Sequence, residues 1–397
     1  MAESIRLEGN LCWEIGIIQQ NKHDNTVCGD HVVFSREDDR VRIVLSDGLG
    51  SGIQANIAST LTSVLISGLT QRGLPLETCI RSVDAVLPVT KKHRLAYATF
   101  TLVSTEGRQV RLIQYDNPPA IFLRDGVSLP YPYETSTVLD KTLHESVLTM
   151  KSGDMLVLFS DGVSEAGRGV TTYSGWDRLK MEDFLLRSVQ QDDNARHVAA
   201  NIVSAVQALD LYEYHDDTSV VVLRLRERLP VHLLLGFSDA WVPDSDTLRS
   251  FFGREGLHAV CGNAAVQAAA SHLGAEVRVR RETVTEALPP VYDVEGVDLA
   301  IEEASTLTEA LDAIRSYHRN GMMSLDLGQA QDGASRLLKL LAEEASEVNI
   351  LFHASDASFS GTTSPGIGRA GVQSAEQILQ LRQLLTELGK HVTLSFF

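Results

Sequence analysis

Residues 41–59 read VRIVLSDGLGSGIQANIAS. A largely apolar run from Val41 to Leu45 leads into Asp47, then a glycine-rich turn, then a helix-like segment. Gly50, Gly52 and Ala55 match G-x-G-x-x-A, the fingerprint of a dinucleotide-binding turn. Yet Asp47 stands at the mouth of that turn, where a bound pyrophosphate would lie close by. The same residues therefore allow two readings: a turn that holds a dinucleotide, or a carboxylate that holds a metal.

The order of the surrounding elements separates them. Strands are expected at about 11–19, 31–35 and 41–46, followed by two helices. The first runs from about Gly52 to Thr70. The second runs from about Pro75 to Val86, with Pro75 near its first turn and Pro88 just past its end. The stretch YATFTLVSTEGRQVRLIQYDNPPAIFLRDGVSL (97–129) reads as three strands joined by short turns, Asp125-Gly126 being a strong two-residue turn signal. GDMLVLFSDGVSE (153–165) is a further buried strand, helices are expected at about 180–190 and 194–209, and TSVVVLRLRE (218–227) supplies a last strand. A dinucleotide-binding fold alternates strand and helix and builds a parallel sheet. Here helices come in pairs and strands in an antiparallel meander. The strand that should carry the ribose-binding acid is missing, and Glu77, at nearly the right spacing, falls in the second helix.

A chain of 397 residues is too long for one ordinary core, so two or three domains are expected. No apolar run approaches the roughly 18 residues of a membrane span, and MAESIRLEGN lacks the basic-then-apolar order of a signal peptide. The formal charge of -17 disfavours nucleic acid and anionic membrane as partners. Cys12, Cys28, Cys79 and Cys261 are scattered with no C-x-x-C, which argues against a zinc ribbon and fits a reducing cytoplasm.

The charged stretch RLRERLP (Arg224–Pro230) marks a boundary, giving expected domains of 1–228 and 229–397. Beyond it VHLLLGFSD, LHAVCG, AEVRVR, VNILFH and HVTLSFF read as strands. Helical runs lie near 245–255, 263–273, 305–318, 332–345 and 374–388, an α/β rhythm. SFSGTTSPGIGRAG (Ser358–Gly371) contains G-x-G-x-x-G at Gly366, Gly368 and Gly371, but these glycines fall well after the strand, so a flexible loop is the simpler reading.

Ser46-Asp47-Gly48 and Ser160-Asp161-Gly162 each follow an apolar run, so each aspartate ends a buried strand and needs a partner there. Asp30 begins the strand HVVF, and Asp216 and Asp217 begin SVVVLRL. Four acidic sites at strand ends can converge on one sheet edge, and oxygen-only ligands suit Mg2+ or Mn2+. Taken singly, each aspartate also reads as a strand-end turn or helix cap. Ser238-Asp239 and Ser355-Asp356 follow apolar runs too but lack the glycine, and serve as internal controls.

In this order, VRIVLSDGLGSG, NPPAIFLRDG, GDMLVLFSDGVSEA and HDDTSVVVLRL closely resemble the SpoIIE-type branch of the metal-dependent (PPM, protein phosphatase 2C-like) serine/threonine phosphatases, and CGDHVVF resembles that family's first acidic motif. The resemblance covers about residues 10–226. It implies an α+β fold: a four-layer α-β-β-α sandwich of two antiparallel sheets, here followed by a smaller α/β domain. It also implies a binuclear Mn2+ or Mg2+ centre at one sandwich edge. By position, Asp47 matches the aspartate that bridges the metals and Gly48 the glycine that offers its carbonyl. Asp161 and Asp216 match the carboxylates that complete the first metal's shell, with Asp217 as a neighbour. Asp30 matches the acid of the first motif, often reached through a metal-bound water. Asp47, Asp161 and Asp30 are thus the expected catalytic residues. Asn117 and Pro118-Pro119 match a structural motif.

The implied reaction is attack of a metal-activated water on a phosphoester. The wider family often has a histidine after the first D-G; Leu49 stands there, so the general acid is unassigned, with His31 and His215 as neighbours of the expected ligands. The family's phosphate-holding arginine is also absent; Asn25 lies near its place, and Lys22 is a weak substitute. Cys28, close to Asp30, is either redox-sensitive or a small buried residue.

The resemblance implies a phosphoserine or phosphothreonine regulatory protein as substrate, such as an anti-sigma-factor antagonist or a redox- or hydrogenase-linked regulator, and leaves a homodimer open. CGNAAV and LPPVYDVEGVDLAIEEASTLTEALD resemble the tail of SpoIIE-like phosphatases of anaerobes, some near hydrogenase genes, which gives the second domain no activity of its own. The rival readings are a non-catalytic phosphatase-fold binding module and a nucleotide-binding redox regulator. Acids at all four positions speak against the first, and only the two glycine-rich loops support the second.

Overall fold

The computed structural model describes residues 7, 10–37, 39–87, 98–190, 193–236, 242–280, 291–301, 305–320, 332–353 and 369–397. The chain divides into two compact units, Met1–Glu227 and Arg228–Phe397.

In the first unit, β1 (Leu11–Gln20), β2 (Asp30–Glu37) and β3 (Arg40–Asp47) are followed by α1 (Ile53–Gln71) and α2 (Leu76–Val86). A run of strands comes next: β4 (Phe100–Glu106), β5 (Gln109–Tyr115), β6 (Ile121–Arg124), β7 (Val127–Leu129), β8 (Glu134–Val138), β9 (Lys141–Thr149) and β10 (Met155–Phe159). The short α3 (Asp161–Ser164), then α4 (Arg178–Ser188) and α5 (Ala195–Leu209), precede β11 (Thr218–Glu227). The strands form a six-stranded sheet, β2-β3-β4-β5-β9-β8, and a five-stranded sheet, β1-β11-β10-β6-β7, with every pairing antiparallel.

Strand periodicity explains the layering. In β3, Val41, Ile43 and Leu45 share one core with Leu156 and Leu158 of β10 and with Val221, Leu223 and Leu225 of β11; this is the seam between the sheets. Val44 turns the other way and packs with Ala58 and Ile66 of α1 and Ile80 and Val83 of α2. On the far side α5 covers β1 and β11. The α-β-β-α order implied by the resemblance is therefore present. The glycine-rich turn after β3 does not open a β-α-β unit: α1 is followed by α2, and β3 pairs antiparallel with β4.

Three expectations change. The segment expected as three strands contains four, because β6 and β7 pair across Asp125-Gly126 as a separate short hairpin. The β8–β9 hairpin was not expected at all. In the second unit the strand AEVRVR shrinks to Arg278–Val279, and a hairpin over 291–301 is added.

The second unit runs β12 (Pro230–Leu235), α6 (Ser245–Phe252), β13 (Leu257–Cys261), α7 (Asn263–Leu273), β14 (Arg278–Val279), β15 (Val291–Val294), β16 (Val297–Ile301) and α8 (Ser305–Asn320). A helix Gly333–Leu338 then continues as a π-helical stretch, Lys339–Glu344, before β17 (Glu347–Phe352), a helix Arg369–Glu387 and β18 (His391–Phe396). The sheet order is β14-β15-β16-β13-β12-β17-β18, and the five strands from β16 to β18 are parallel. Alternate residues of β12 face opposite layers. Val231, Leu233 and Leu235 meet α8 and the two later helices, while Leu234 meets α6 and α7. The unit is a doubly wound α/β fold. Ser238-Asp239, Ser355-Asp356, Gly366 and Gly368 lie outside the described residues. Among the described residues no helix is long and apolar enough to cross a membrane.

Candidate metal centre

The seam between the sheets ends in carboxylates. Asp47 continues the inward row Val41-Ile43-Leu45, and Asp30, its direct partner across β2–β3, lies on the same face as Val32 and Phe34. Asp161 is the first residue of α3, immediately after β10 and Ser160. Asp216 and Asp217 lead into β11. Asp30, Asp47, Asp161 and Asp216 are thus brought to one edge of the sandwich. Gly48 donates its N–H to the Gly29 carbonyl at 3.3 Å, which locks the start of the glycine-rich turn against β2.

The edge is electrostatically strained. Burial raises the Asp30 carboxyl to about 7, with the charges of Asp217 and Asp161 adding to the rise; the nearby hydroxyls of Ser160 and Ser219 oppose it. Burial raises Asp47 to about 10, helped by Asp30 and Asp161. Asp216 is raised by burial, against the pull of the Lys22 ammonium. Both Asp30 oxygens and Asp217 Oδ2 are buried with no hydrogen-bond partner. Such oxygens are costly unless a cation or a proton meets them. An all-oxygen set with unmet acceptors fits Mg2+ or Mn2+. Among the described residues, no three His, Cys, Asp or Glu side chains already close on a common point.

The flanking candidates divide differently from the sequence expectation. His31 alternates away from Asp30 and lies 2.7 Å from Ser63 Oγ of α1, across the sheet from the seam. His215 sits 3.4 Å from Asp210 and takes a second tie through its N–H to that carboxylate. Neither imidazole is held by the carboxylate edge. Lys22 Nζ lies 3.7 Å from Asp216 Oδ1, in a half-exposed pair. Asn25 Nδ2 is buried without a partner, and its Oδ1 lies beside Gly52 at the start of α1. The Cys28 thiol is held up by burial and by the charges of Asp30 and Asp217, so it stays protonated and unreactive.

Asn117, which matches a structural motif, accepts from Thr99 Oγ1 and donates to Thr101 Oγ1 at 3.0 Å, while Thr99 N–H donates to the Asp47 carbonyl at 2.9 Å. It braces the strand end that carries Asp47. Asp217, expected as the neighbour of Asp216, is among the most buried acids of the edge, at 3% exposure. Counting by twos back from Val221 through Ser219 would have found it.

Comparison with known proteins bears on the same segment. Residues 37–226 match the family model described as Stage II sporulation protein E (SpoIIE). The chain is 22% identical over 226 residues to Stage II sporulation protein E of Priestia megaterium, covering 55% of this chain and 37% of that protein. It is 23% identical over 207 residues to phosphoserine phosphatase RsbU of Bacillus subtilis, covering 49% of this chain and 59% of that protein. Among solved structures, the phosphatase domain of SpoIIE from Bacillus subtilis with a fragment of its regulatory domain aligns with a TM-score of 0.47 at 19% identity, over 55% of this chain and 63% of that one. The chain spans less than two thirds of the length of each of these relatives.

Proposed function

We propose, from the match of residues 37–226 to the SpoIIE family model, that the first unit is a metal-dependent phosphatase that hydrolyses phosphoserine or phosphothreonine in a regulatory protein. The observation that carries this reading is the pair of facing strand-end acids, Asp30 and Asp47, closing a buried seam in which both Asp30 oxygens are buried without a hydrogen-bond partner. Asp47, Asp161 and Asp216, with the Gly48 carbonyl, would hold two Mn2+ or Mg2+ ions, and Asp30 would hold solvent beside them. When bound, divalent ions supply an acidified water and offset negative charge on a phosphoryl group.

The chain's own residues do the rest. β2 and β3 fix Asp30 and Asp47 in register, so their separation is set by sheet hydrogen bonds and not by loop geometry. Asp161 opens α3 directly after β10 and Ser160, and that single helical turn is closed by the Glu165 N–H, which donates to the Asp161 carbonyl at 2.7 Å. Lys22 and the unpaired Asn25 amide supply donors at the rim for phosphoryl oxygens, where the wider family uses arginine. Leu49, 62% exposed, leaves no histidine beside the first D-G. The leaving oxygen must then take its proton from solvent held in the site. The relatives named for SpoIIE and for phosphoserine phosphatase RsbU support a phosphoprotein substrate.

The test is hydrolysis of an aryl phosphate by the full chain in Mn2+ and in EDTA. Activity should require the metal and fall at least about a hundredfold in Asp47→Asn, the magnitude typical of losing a central electrostatic group. Asp161→Asn should also cause a large loss, and Asp239→Asn little. Equal losses at Asp47 and Asp239 would overturn the site. Metal binding without turnover would favour the non-catalytic module.

A further inference from the structure

Asp217, the second acid of the Asp216-Asp217 pair, is buried where its neighbour is part-exposed. Its Oδ1 accepts the Lys22 backbone N–H at 2.9 Å. Its Oδ2 is buried with no partner. Asp216 has 39% of its side chain exposed, pairs with the Lys22 ammonium, and uses Oδ1 to accept the Asp217 N–H at 3.0 Å. Asp217 is therefore the buried member of the pair and Asp216 the part-exposed one. The strand period explains it: Val221, Leu223 and Leu225 fill the seam, Ser219 continues their row, and Asp217 stands at its end.

Two glycines make room for this acid. A Cβ on Gly29, the residue before Asp30, would lie 2.7 Å from Asp217 Oδ2. A Cβ on Gly162, the residue after Asp161, would lie 2.2 Å from the Asp217 carbonyl oxygen. The glycine of the second S-D-G is thus required by close approach of Asp217, and the glycine of C-G-D by its carboxylate. The result is a carboxylate oxygen of a residue only 3% exposed, buried near Asp30 and the Cys28 thiol and without a hydrogen-bond partner. Desolvated like charges persist in a fold when a cation binds between them.

We propose that Asp217 is itself a ligand of the divalent centre, binding through Oδ2 while Oδ1 anchors the Lys22 turn. This rests on the reading of the edge as a metal site and adds an oxygen that the family resemblance does not supply. Asp217→Asn is the informative change. The amide oxygen can still accept the Lys22 N–H, so the anchor survives while the charged Oδ2 is lost.

Mn2+ binding to the full chain, measured by titration calorimetry and by the Mn2+-induced rise in melting temperature, separates the outcomes. Wild type should bind. Asp217→Asn should bind at least about tenfold more weakly, as loss of a charged contact to an ion predicts, with a metal-free melting temperature equal to or above that of wild type. Gly29→Ala, which pushes on Oδ2 without changing charge, should also weaken Mn2+, and serves if the first variant does not fold. Wild-type affinity in both variants, or in Asp217→Asn with only a lowered metal-free melting temperature, overturns the proposal and leaves Asp217 a structural anchor. Absence of Mn2+ binding by wild type overturns the metal reading as a whole.

Discussion

Asp47 is held from behind by neutral groups. Thr99 bonds both its backbone N–H and its carbonyl, and Asn117 bonds Thr99. Asn117→Ala leaves the Thr99 and Thr101 hydroxyls short of a partner in a buried place, so stability should fall by about 1–3 kcal/mol. Mn2+ affinity should fall with it, because the strand end loosens. A variant with wild-type melting temperature and affinity would show that the brace does not matter. The raised carboxyls give a second consequence. Asp30, at about 7, and Asp47, at about 10, bind protons more tightly folded than unfolded, where the ordinary value is 3.8. Their contribution to stability is therefore complete below 3.8 and is lost as pH rises through 7 towards 10. In EDTA the melting temperature should drop between about pH 5 and pH 8, and Asp30→Asn should flatten that drop. Metal competes with the same protons, so Mn2+ affinity should rise over that interval. A wild-type and Asp30→Asn pair with parallel pH profiles would sink this account. At this scale the sequence was informative where an acid ended an apolar run, as at Asp47 and Asp161. It was less so at Asp217, whose burial depends on two distant glycines and a strand face.

Elements were legible where local chemistry announced their ends. Asp125-Gly126 was read as a two-residue turn, and both residues have positive φ, 51° and 71°, in the structure. The β8–β9 hairpin carried no such signal. Its turn is Leu139-Asp140, with Val138 paired to Lys141, and Leu139 takes a φ of 58°. A leucine there is uncommon because its Cβ crowds the backbone. The register of β8–β9 is set instead by pairing and by the buried Leu143, which lies opposite Ser136. The hairpin over 291–301, absent from the expectation, has its signal in Glu295-Gly296, with Gly296 at 89°. The helix expected at about 332–345 is split by a π-helical turn that no periodicity in its short length would reveal. Leu139→Gly should relieve the left-handed strain and stabilise the first unit by about 1 kcal/mol. The urea midpoint reads this directly. A lower midpoint would mean that Leu139, 44% exposed, packs more than it strains.

The whole molecule is two sheets-and-helices units joined at one short step. β11 ends at Glu227 and β12 begins at Pro230. The two residues between them are tied to the second unit: Arg228 lies 3.5 Å from Glu347, and the Leu229 N–H donates to Ser346 Oγ at 2.8 Å. β11 is bonded on both sides within the first unit, to β1 along its length and to β10. The acidic edge draws its carboxylates from β2, β3, α3 and the lead into β11, all before Glu227. A cut after Glu227 therefore severs no strand pairing of the first unit and removes no acid of the site. Residues 1–227 should fold alone, melt cooperatively and show the Mn2+-dependent rise in melting temperature of the full chain. Asp47→Asn should weaken that rise in the fragment as in the whole. NAD or NADP, with metal chelated, should leave the fragment's melting temperature unchanged, because its glycine-rich turn opens onto a helix pair and a carboxylate. An insoluble fragment from a soluble full chain would mean that the units depend on one another for folding. A nucleotide-induced rise lost in Gly52→Val would return the turn after β3 to the dinucleotide reading.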